Sequence, residues 1–350
     1  MGRPAVTNGP VAVTDRPSRP PRGRPTVEGD NRDNRDEEDA MNNQQRVERH
    51  GRTVVVGVDG STGNRSALRY AAEEAAGLGG RVDVVHVVPD YLPISPLVPL
   101  TPEDLSETAT AILRSALASL EEIAPDAEAE GHLRHGTRAV QLAQAAEEAA
   151  LLVVGRDDRP LLERLLSGDV TAGVCARASV PVAQVPAGWE PTSGGTVLVG
   201  VKSPQHAGEL LAEAFAVAHR RGARLVVLHA WRLPSVYDDI IEVRVDLDSW
   251  QEEATIEMEA LVRDWRVVYP DVPVEIRVVH DRAAHALVEQ SQDADVIVLV
   301  RREHGVPAAA HLGSTARTVL RSARCPVRVV PPTGTPEVPV LLESEGHLVR

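Results

Sequence analysis

The chain has few aromatic residues, almost no lysine, two cysteines and no long apolar run. Aromatic residues make up only 3% of its 350 positions, so any core must be built from Val, Leu, Ile and Ala. Lys202 is the only lysine. With Ala, Val and Gly abundant as well, that scarcity reads as the codon bias of a GC-rich bacterial genome. Cys175 and Cys325 stand in apolar contexts. They make no disulfide framework and fit small core residues of a reducing compartment. No apolar run reaches the ~20 residues that span a bilayer. The first residues carry arginines and prolines without the apolar centre of a secretory signal, so the cytoplasm is the expected location. A net charge of −14 opposes non-specific attachment to DNA or to an anionic membrane surface.

What is present is a soluble composition, 43% hydrophobic and 25% charged, on a chain long enough for two domains with their own cores. Residues 1–50 are rich in Pro, Arg, Asn, Asp and Gly and have almost no apolar periodicity. Such a segment cannot bury enough surface to offset its ordering entropy, and disorder is expected. Met41, just before the first strand, is a candidate start of the translated protein.

The remainder is written twice. "VVVGVDGS", from Val54 to Ser61, returns as "TVLVGVKSP", from Thr196 to Pro204, with Lys202 where Asp59 stood. Asp59 and Lys202 are 143 residues apart, as are His86 and His229; Gly168 and Gly313 are 145 apart, as are Pro181 and Pro326. A register held this long and changed once by two residues in a loop means duplication. Each copy has a β-branched run (Val54–Val58; Val197–Val201), an Ala-rich amphipathic helix and a second run (Val82–Val88; Leu225–Ala230). A long helix follows, its apolar stripe being Leu105, Ala109, Ile112, Leu113, Ala116, Leu117 and Leu120 in one copy. In the other the stripe is Leu247, Trp250, Ala254, Met258, Leu261, Val262 and Trp265. Three more strands complete each copy: His132–Arg134, Leu151–Val154 and Val180–Val185, then Glu275–Val279, Val296–Val300 and Pro326–Val330. Strands apolar on both faces and alternating with helices require a parallel sheet covered on both sides. The expected domains are 51–187 and 196–332, joined by a linker at 188–195 and followed by a tail at 333–350.

In such a sheet, ligands sit beyond the carboxyl ends of the strands where strand order reverses. Asp59 ends a first strand there and can accept hydrogen bonds from an amine or a hydroxyl; it can equally cap the next helix or shape the turn. Haloacid dehalogenase chemistry needs an aspartate two residues earlier, where Gly57 stands, and is excluded. The histidines at 132, 135, 280, 285, 304 and 311 lack the company of a zinc site, and no metal site is expected. His86 and His229 read as packed core residues. Neither Gly-x-Ser-x-Gly nor a Cys–His pair is found, and no catalytic residue is assigned. Trp250 and Trp265 read as core or interface.

The segments "VVGRDDRPLLERLLSGDVTAGVCARASVPVAQV" and "VLVRREHGVPAAAHLGSTARTVLRSARCPVRVV", with "VVVGVDGS" and the "VVHV" and "VLHA" strands, resemble the universal stress protein family. The resemblance covers about residues 52–187 and 195–332. It implies an α/β fold of two tandem flavodoxin-like, adenine-nucleotide-hydrolase-like three-layer sandwiches, each with a five-stranded parallel sheet of order 3-2-1-4-5. They would form an internal pseudo-dimer associated through their last strands, with further homodimerisation open. A single sheet running through both halves would contradict two separate sandwiches.

Many members of that family bind ATP through Gly-x2-Gly-x9-Gly-(Ser/Thr), where glycines let backbone N–H groups approach phosphates. Carried over, the first copy keeps Gly155 and Gly168, with Asp158 at the second glycine and Asp169 for Ser/Thr. Thr171 also matches, as do Asp59 and Val87 on the adenosine side, with Gly60 and Ser61 in the turn. The second copy has Val300 and Glu303, then keeps Gly313 and Ser314. Its adenosine side has Lys202 for the aspartate. A carboxylate ~4 Å from a phosphate charge costs about 4 kcal/mol at an effective dielectric near 20. A helix terminus returns only ~0.3–1 kcal/mol, so metal-free triphosphate is disfavoured in the first copy. The expectation is a stress-response regulator with a degenerate ATP or AMP site, Mg²⁺ accompanying a triphosphate. The alternative is a protein-interaction scaffold without ligand; weak ATPase activity is the third option.

Overall fold

A computed structural model describes residues 51–61, 63–89, 102–156, 170–191, 195–203, 207–232, 247–301 and 312–332. The extension at 1–50 and the tail at 333–350 lie outside the described residues. The first half runs β1 (Val54–Val58), α1 (Asn64–Leu78), β2 (Val82–Val88), α2 (Pro102–Ile123), β3 (Ala129–His135), α3 (Arg138–Ala145), β4 (Leu151–Gly155), α4 (Val170–Cys175), β5 (Val182–Val185). The second runs β6 (Thr196–Gly200), α5 (Gly208–Arg221), β7 (Arg224–Trp231), α6 (Leu247–Val268), β8 (Val274–His280), α7 (Ala283–Gln290), β9 (Val296–Val300), α8 (Ser314–Ser322), β10 (Val327–Val330).

The Val-rich runs become strands because β-branched side chains pack well on a pleated surface. Val54, Val56, Val82 and Val84 are completely buried, each worth ~1.5–3 kcal/mol relative to exposure. The glycine of the repeated strand phrase has a packing role in both copies. A Cβ on Gly57 would meet Leu142 of α3 at 3.0 Å, and one on Gly200 would meet Leu287 of α7 at 3.1 Å. The Ala-rich helices α1 and α5 both stop at a left-handed glycine, Gly79 (φ 60°) and Gly222 (φ 58°), as C-caps commonly require. The two-residue change of register falls between β2 and α2, since β2 and β7 keep the offset of 143 and α2 and α6 already have 145.

Each half is parallel inside and has the order 3-2-1-4-5. The two sheets are not separate, however. Strands β5 and β10 pair antiparallel, making one ten-stranded sheet of order β3-β2-β1-β4-β5-β10-β9-β6-β7-β8. Association through the last strands thus takes the form of a shared ladder, which corrects the expectation of two independent sheets. The register is Val182↔Val329, Ala183↔Arg328 and Gln184↔Val327. Ala183 and Arg328 are themselves equivalent positions, 145 residues apart, so the pseudo-twofold axis of the duplication passes between them.

The two faces of this seam differ. On the face covered by α3, α4, α7 and α8, one apolar core runs through both halves, with Val174, Cys175 and Val182 packed in the same cluster as Leu320, Cys325 and Val327. On the face covered by α1, α2, α5 and α6 there are two cores, one per half. Between them lies Arg328, whose side chain is 1% exposed. Its Nη2 donates to Glu74 of α1 at 2.8 Å and its Nη1 to Glu213 of α5 at 2.6 Å. Arg221 of α5 also donates to Glu74, at 2.6 Å, and its guanidinium lies over the Tyr70 ring. Tyr70 contacts Trp189 edge-on at 5.4 Å; Trp189, in the segment read as a linker, is buried in the first-half core.

Two further arginines cross the seam reciprocally. Arg156, just after β4, donates to the Ala323 carbonyl at the end of α8 (2.7 Å), and Arg301, just after β9, donates to the carbonyls of Cys175, the last residue of α4, and of Ala178 beyond it (2.6 and 3.2 Å). A guanidinium at a helix C-terminus satisfies orphan carbonyls and complements the dipole. In the long helices the stripe residues Ala109, Ala116, Leu120, Met258, Val262 and Trp265 are buried, whereas Trp250 is 41% exposed and touches Trp231. The side chain of Leu247 lies outside the described residues.

Burial alone would raise the Glu74 carboxyl, but the Arg328 and Arg221 guanidinium groups outweigh it and hold the group at about 2, against an ordinary 4.5. A depressed carboxyl contributes stability that is complete above 4.5 and is lost as pH falls from there toward 2, on the order of 3 kcal/mol in all. Glu74→Ala should cost about 3–5 kcal/mol at neutral pH because it removes the principal partner of a buried cation. It should also flatten the acid limb of the stability curve. Urea denaturation between pH 2 and 7 measures both; a variant within 1 kcal/mol of the wild type, or one with an unchanged acid limb, would remove Glu74 from this role.

Candidate functional site

Strand order reverses between β1 and β4, and a cleft opens beyond their carboxyl ends. Asp59, Ser61, Val87, Gly155 and Thr171 line it, bringing together residues from the ends of β1, β2 and β4 and from α4. Of the site residues expected in the first half, Gly168 lies outside the described residues, as do Asp158 and Asp169. Gly60 stands in the turn beside Asp59.

The turn is built by Asp59 itself. Its Oδ1 accepts the Ser61 N–H at 2.9 Å. Asn64, at the start of α1, has its amide oriented by its neighbours, so that Nδ2 donates to Asp59 Oδ1 at 3.1 Å and Oδ1 accepts the Gly60 N–H at 2.8 Å. Gly60 has φ +82°, and a Cβ there would press on Ile112 at 3.2 Å; glycine is required by both conformation and space. The turn-shaping role of Asp59 is therefore realised. Its second oxygen accepts no hydrogen bond among the described residues, and the residue is exposed.

His86 pins the strand end that carries Asp59. Its Nδ1 lies 2.8 Å from the Val58 carbonyl, to which it donates when the proton sits on Nδ1. His229 makes the same bond to Val201 at 3.1 Å, so the recurrent histidine braces the strand bearing Lys202 as well. Val87 is buried and gives the cleft an apolar wall. Gly155 lies close under the turn: a Cβ would approach the Gly63 carbonyl to 3.2 Å, so this glycine has a packing reason of its own. Thr171 is buried, with its Oγ1 accepting from Gln184 Nε2 at 3.0 Å and donating to no acceptor among the described residues.

Two cations that sequence reading missed also line the cleft, Arg138 and Arg156. Arg138 is the first residue of α3, following Thr137, which makes no side-chain cap bond. A cation at a helix N-terminus opposes the macrodipole by ~0.3–1 kcal/mol. No carboxylate stands within ion-pair distance of Arg138 among the described residues. The available signal was the misplaced charge itself, visible only once the start of α3 is located. Arg156 is committed across the seam to Ala323.

In the second half, Lys202 is exposed after β6 and has no carboxylate partner among the described residues. Gly313 and Ser314 open α8, and the Ser314 carbonyl accepts from Thr318 Oγ1 at 2.9 Å. Val300 ends β9, and Glu303 lies outside the described residues. No hydrogen bond joins Lys202 to Gly313 or Ser314 among the described residues.

Cys175 and Cys325 are buried free thiols; burial pushes Cys325 up to about 12, which suits packing rather than nucleophilic chemistry. Two carboxylate–histidine groups occur among the described residues, Asp83–Glu130–His132 and Asp281–His285–Glu289. In the first, Arg81 reaches Asp83 at 3.2 Å and Glu130 at 3.0 Å, which places a guanidinium against both carboxylates. In the second, His285 Nδ1 lies 2.6 Å from Asp281; this hydrogen bond raises the imidazole pKa and lowers that of the carboxyl. No described helix is long and apolar enough to cross a membrane.

Comparison with known proteins agrees with this architecture. A universal stress protein of Mycobacterium tuberculosis is 32% identical over 287 residues, covering 79% of this chain and 96% of its own. The crystal structure of a universal stress protein from Archaeoglobus fulgidus superposes with a TM-score of 0.61 at 19% identity, over 81% of this chain and 98% of that one. A shorter universal stress protein, solved in complex with cAMP, is 28% identical and covers 39% of this chain and 96% of its own, with a TM-score of 0.30; that ligand is a property of that protein. The model of the Universal stress protein family matches residues 51–186 and again 195–331. The chain therefore belongs to the universal stress protein family, with two copies of the domain in tandem.

Proposed function

We propose that the protein is a cytoplasmic stress-response regulator that binds an adenine nucleotide in the first-half cleft and carries out no turnover chemistry. The observation supporting this reading is the convergence of Asp59, Val87, Gly155 and Thr171 on one cleft at the strand-order reversal. Such crevices are where ligands of open α/β sheets sit. Asp59 would accept from the adenosine part, Val87 would pack against it, and Thr171 would donate. Asp158 and Asp169 replace neutral members of the phosphate-binding pattern, and their charge disfavours a triphosphate unless Mg²⁺ bridges the two. In the second half, Lys202 removes the acceptor on the adenosine side, so Gly313 and Ser314 retain only a phosphate-type remnant.

A second reading is a scaffold that binds protein partners without nucleotide. What favours it is the engagement of Asp59 by Ser61 and Asn64, which gives that aspartate a purely structural reason to be there.

Equilibrium binding of AMP, ADP and ATP, with and without Mg²⁺, separates the two. AMP should bind at least as tightly as metal-free ATP, and Mg²⁺ should improve ATP selectively. Clear preference for metal-free ATP would refute the repulsion, and no binding of any of the three would favour the scaffold. The double substitution Asp158→Gly with Asp169→Ser should tighten metal-free ATP by at least about tenfold, given the size of the charge term removed. An unchanged ATP affinity would show that these carboxylates do not face the phosphates.

A further inference from the structure

We infer that Arg138 is the residue that binds the phosphate of the nucleotide in the first cleft, and that it selects a ligand carrying one compact anionic group beside the ribose. The inference rests on the nucleotide reading above and adds to it the residue that sets ligand charge.

Three observations converge on Arg138. It lines the same cleft as Asp59, Gly155 and Thr171, so it borders the space in which the nucleoside would sit. It stands at the first position of α3, where the helix dipole disfavours a cation, and no carboxylate among the described residues offsets that placement. A local rule broken without compensation among the described residues is where a functional group is expected. The third observation comes from the duplication. The position equivalent to Arg138, at the offset of 145 that holds from α2 onward, is Ala283, the first residue of α7. The half that keeps Gly313 and Ser314 has alanine there and carries its arginine one residue earlier, at Arg282, the N-cap of α7 beside Asp281; the half with Asp158 and Asp169 in their pattern has its arginine at the first helical position.

Arg156 lines the cleft too, yet its Nη1 already donates to the Ala323 carbonyl across the seam, and its counterpart Arg301 does the same in reverse. Its recurrence in both halves marks it as a brace. An arginine at the first helical position, rather than at the N-cap where Arg282 stands, occurs in one half only, beside the half-preserved nucleoside site. A planar guanidinium makes paired hydrogen bonds to a phosphate monoester, and one such group neutralises one terminal phosphate. Extending the chain to a triphosphate adds charge that a single guanidinium does not match.

The test compares adenosine and AMP by isothermal titration on the full chain, for wild type, Arg138→Ala, Arg138→Lys and Asp59→Asn. Wild type should bind AMP more tightly than adenosine, and the gap should narrow as salt rises. Arg138→Ala should weaken AMP by about tenfold or more while leaving adenosine affinity and thermal midpoint unchanged, and Arg138→Lys should restore part of the loss. Asp59→Asn should weaken both ligands alike. If wild type binds AMP but Arg138→Ala binds it equally well, Arg138 has no such role and the nucleotide reading stands. Should wild type bind neither adenosine nor AMP, the nucleotide reading falls and this inference with it. A parallel loss of adenosine affinity or of folding in Arg138→Ala, unrelieved in Arg138→Lys, would make the residue structural and overturn the proposal.

Discussion

The joining of the two halves depends on what fills the space at the pseudo-twofold axis. The antiparallel ladder there is short, with Val182, Ala183 and Gln184 facing Val329, Arg328 and Val327. Two large side chains at the axis would collide under the meeting of α1 and α5. The chain resolves this by asymmetry, with alanine on one strand and arginine on the other, both at the same position of the ancestral repeat. The buried guanidinium then needs anions, and it finds one on each half, Glu74 and Glu213. Because strand faces alternate, a slip of one residue would turn Arg328 into the apolar core shared on the opposite face. The charge cluster therefore fixes the register that the apolar cluster stabilises.

The rest of the organisation follows from that seam. One face of the sheet has a common core through both halves, so the halves are thermodynamically a single body on that side. The ends of β4 and β9 come near the partner half's last helix, which allows Arg156 and Arg301 to tie each strand end to the opposite helix end. The first cleft thus has a wall residue whose hydrogen-bond partner belongs to the second half. The two halves differ at the strand tips, where Asp59 corresponds to Lys202 and Arg138 to Ala283, and again at the buried axis, where Ala183 corresponds to Arg328 and Glu74 to Val217.

The strands and the parallel arrangement were legible in the sequence, because completely buried strands leave an unbroken Val–Leu–Ile signature and the repeat confirms each one independently; the order within each half came only with the resemblance to the family. Asp59, Val87, Gly155 and Thr171 were legible because their chain positions match a family pattern, and the fold gathers four such positions at one strand-order reversal. Arg138 was not, since a single arginine near a short helix carries no periodic signal. Arg328 was hidden in the run "CPVRVV", where one charge among apolar residues carries no sign of the partners it meets. Trp189 was assigned to a linker because its neighbours are polar, yet its ring has Tyr70 to pack on.

The sequence alone determined the duplication, the alternation of strand and helix, and the site at which a carboxylate gave way to a lysine. These are properties of residue order and local periodicity. Tertiary structure alone decided that ten strands form one sheet, that Arg328 lies buried between Glu74 and Glu213, and which cations line the cleft. Those outcomes depend on contacts between residues far apart in the chain, and no local pattern encodes which distant partner a charge will meet.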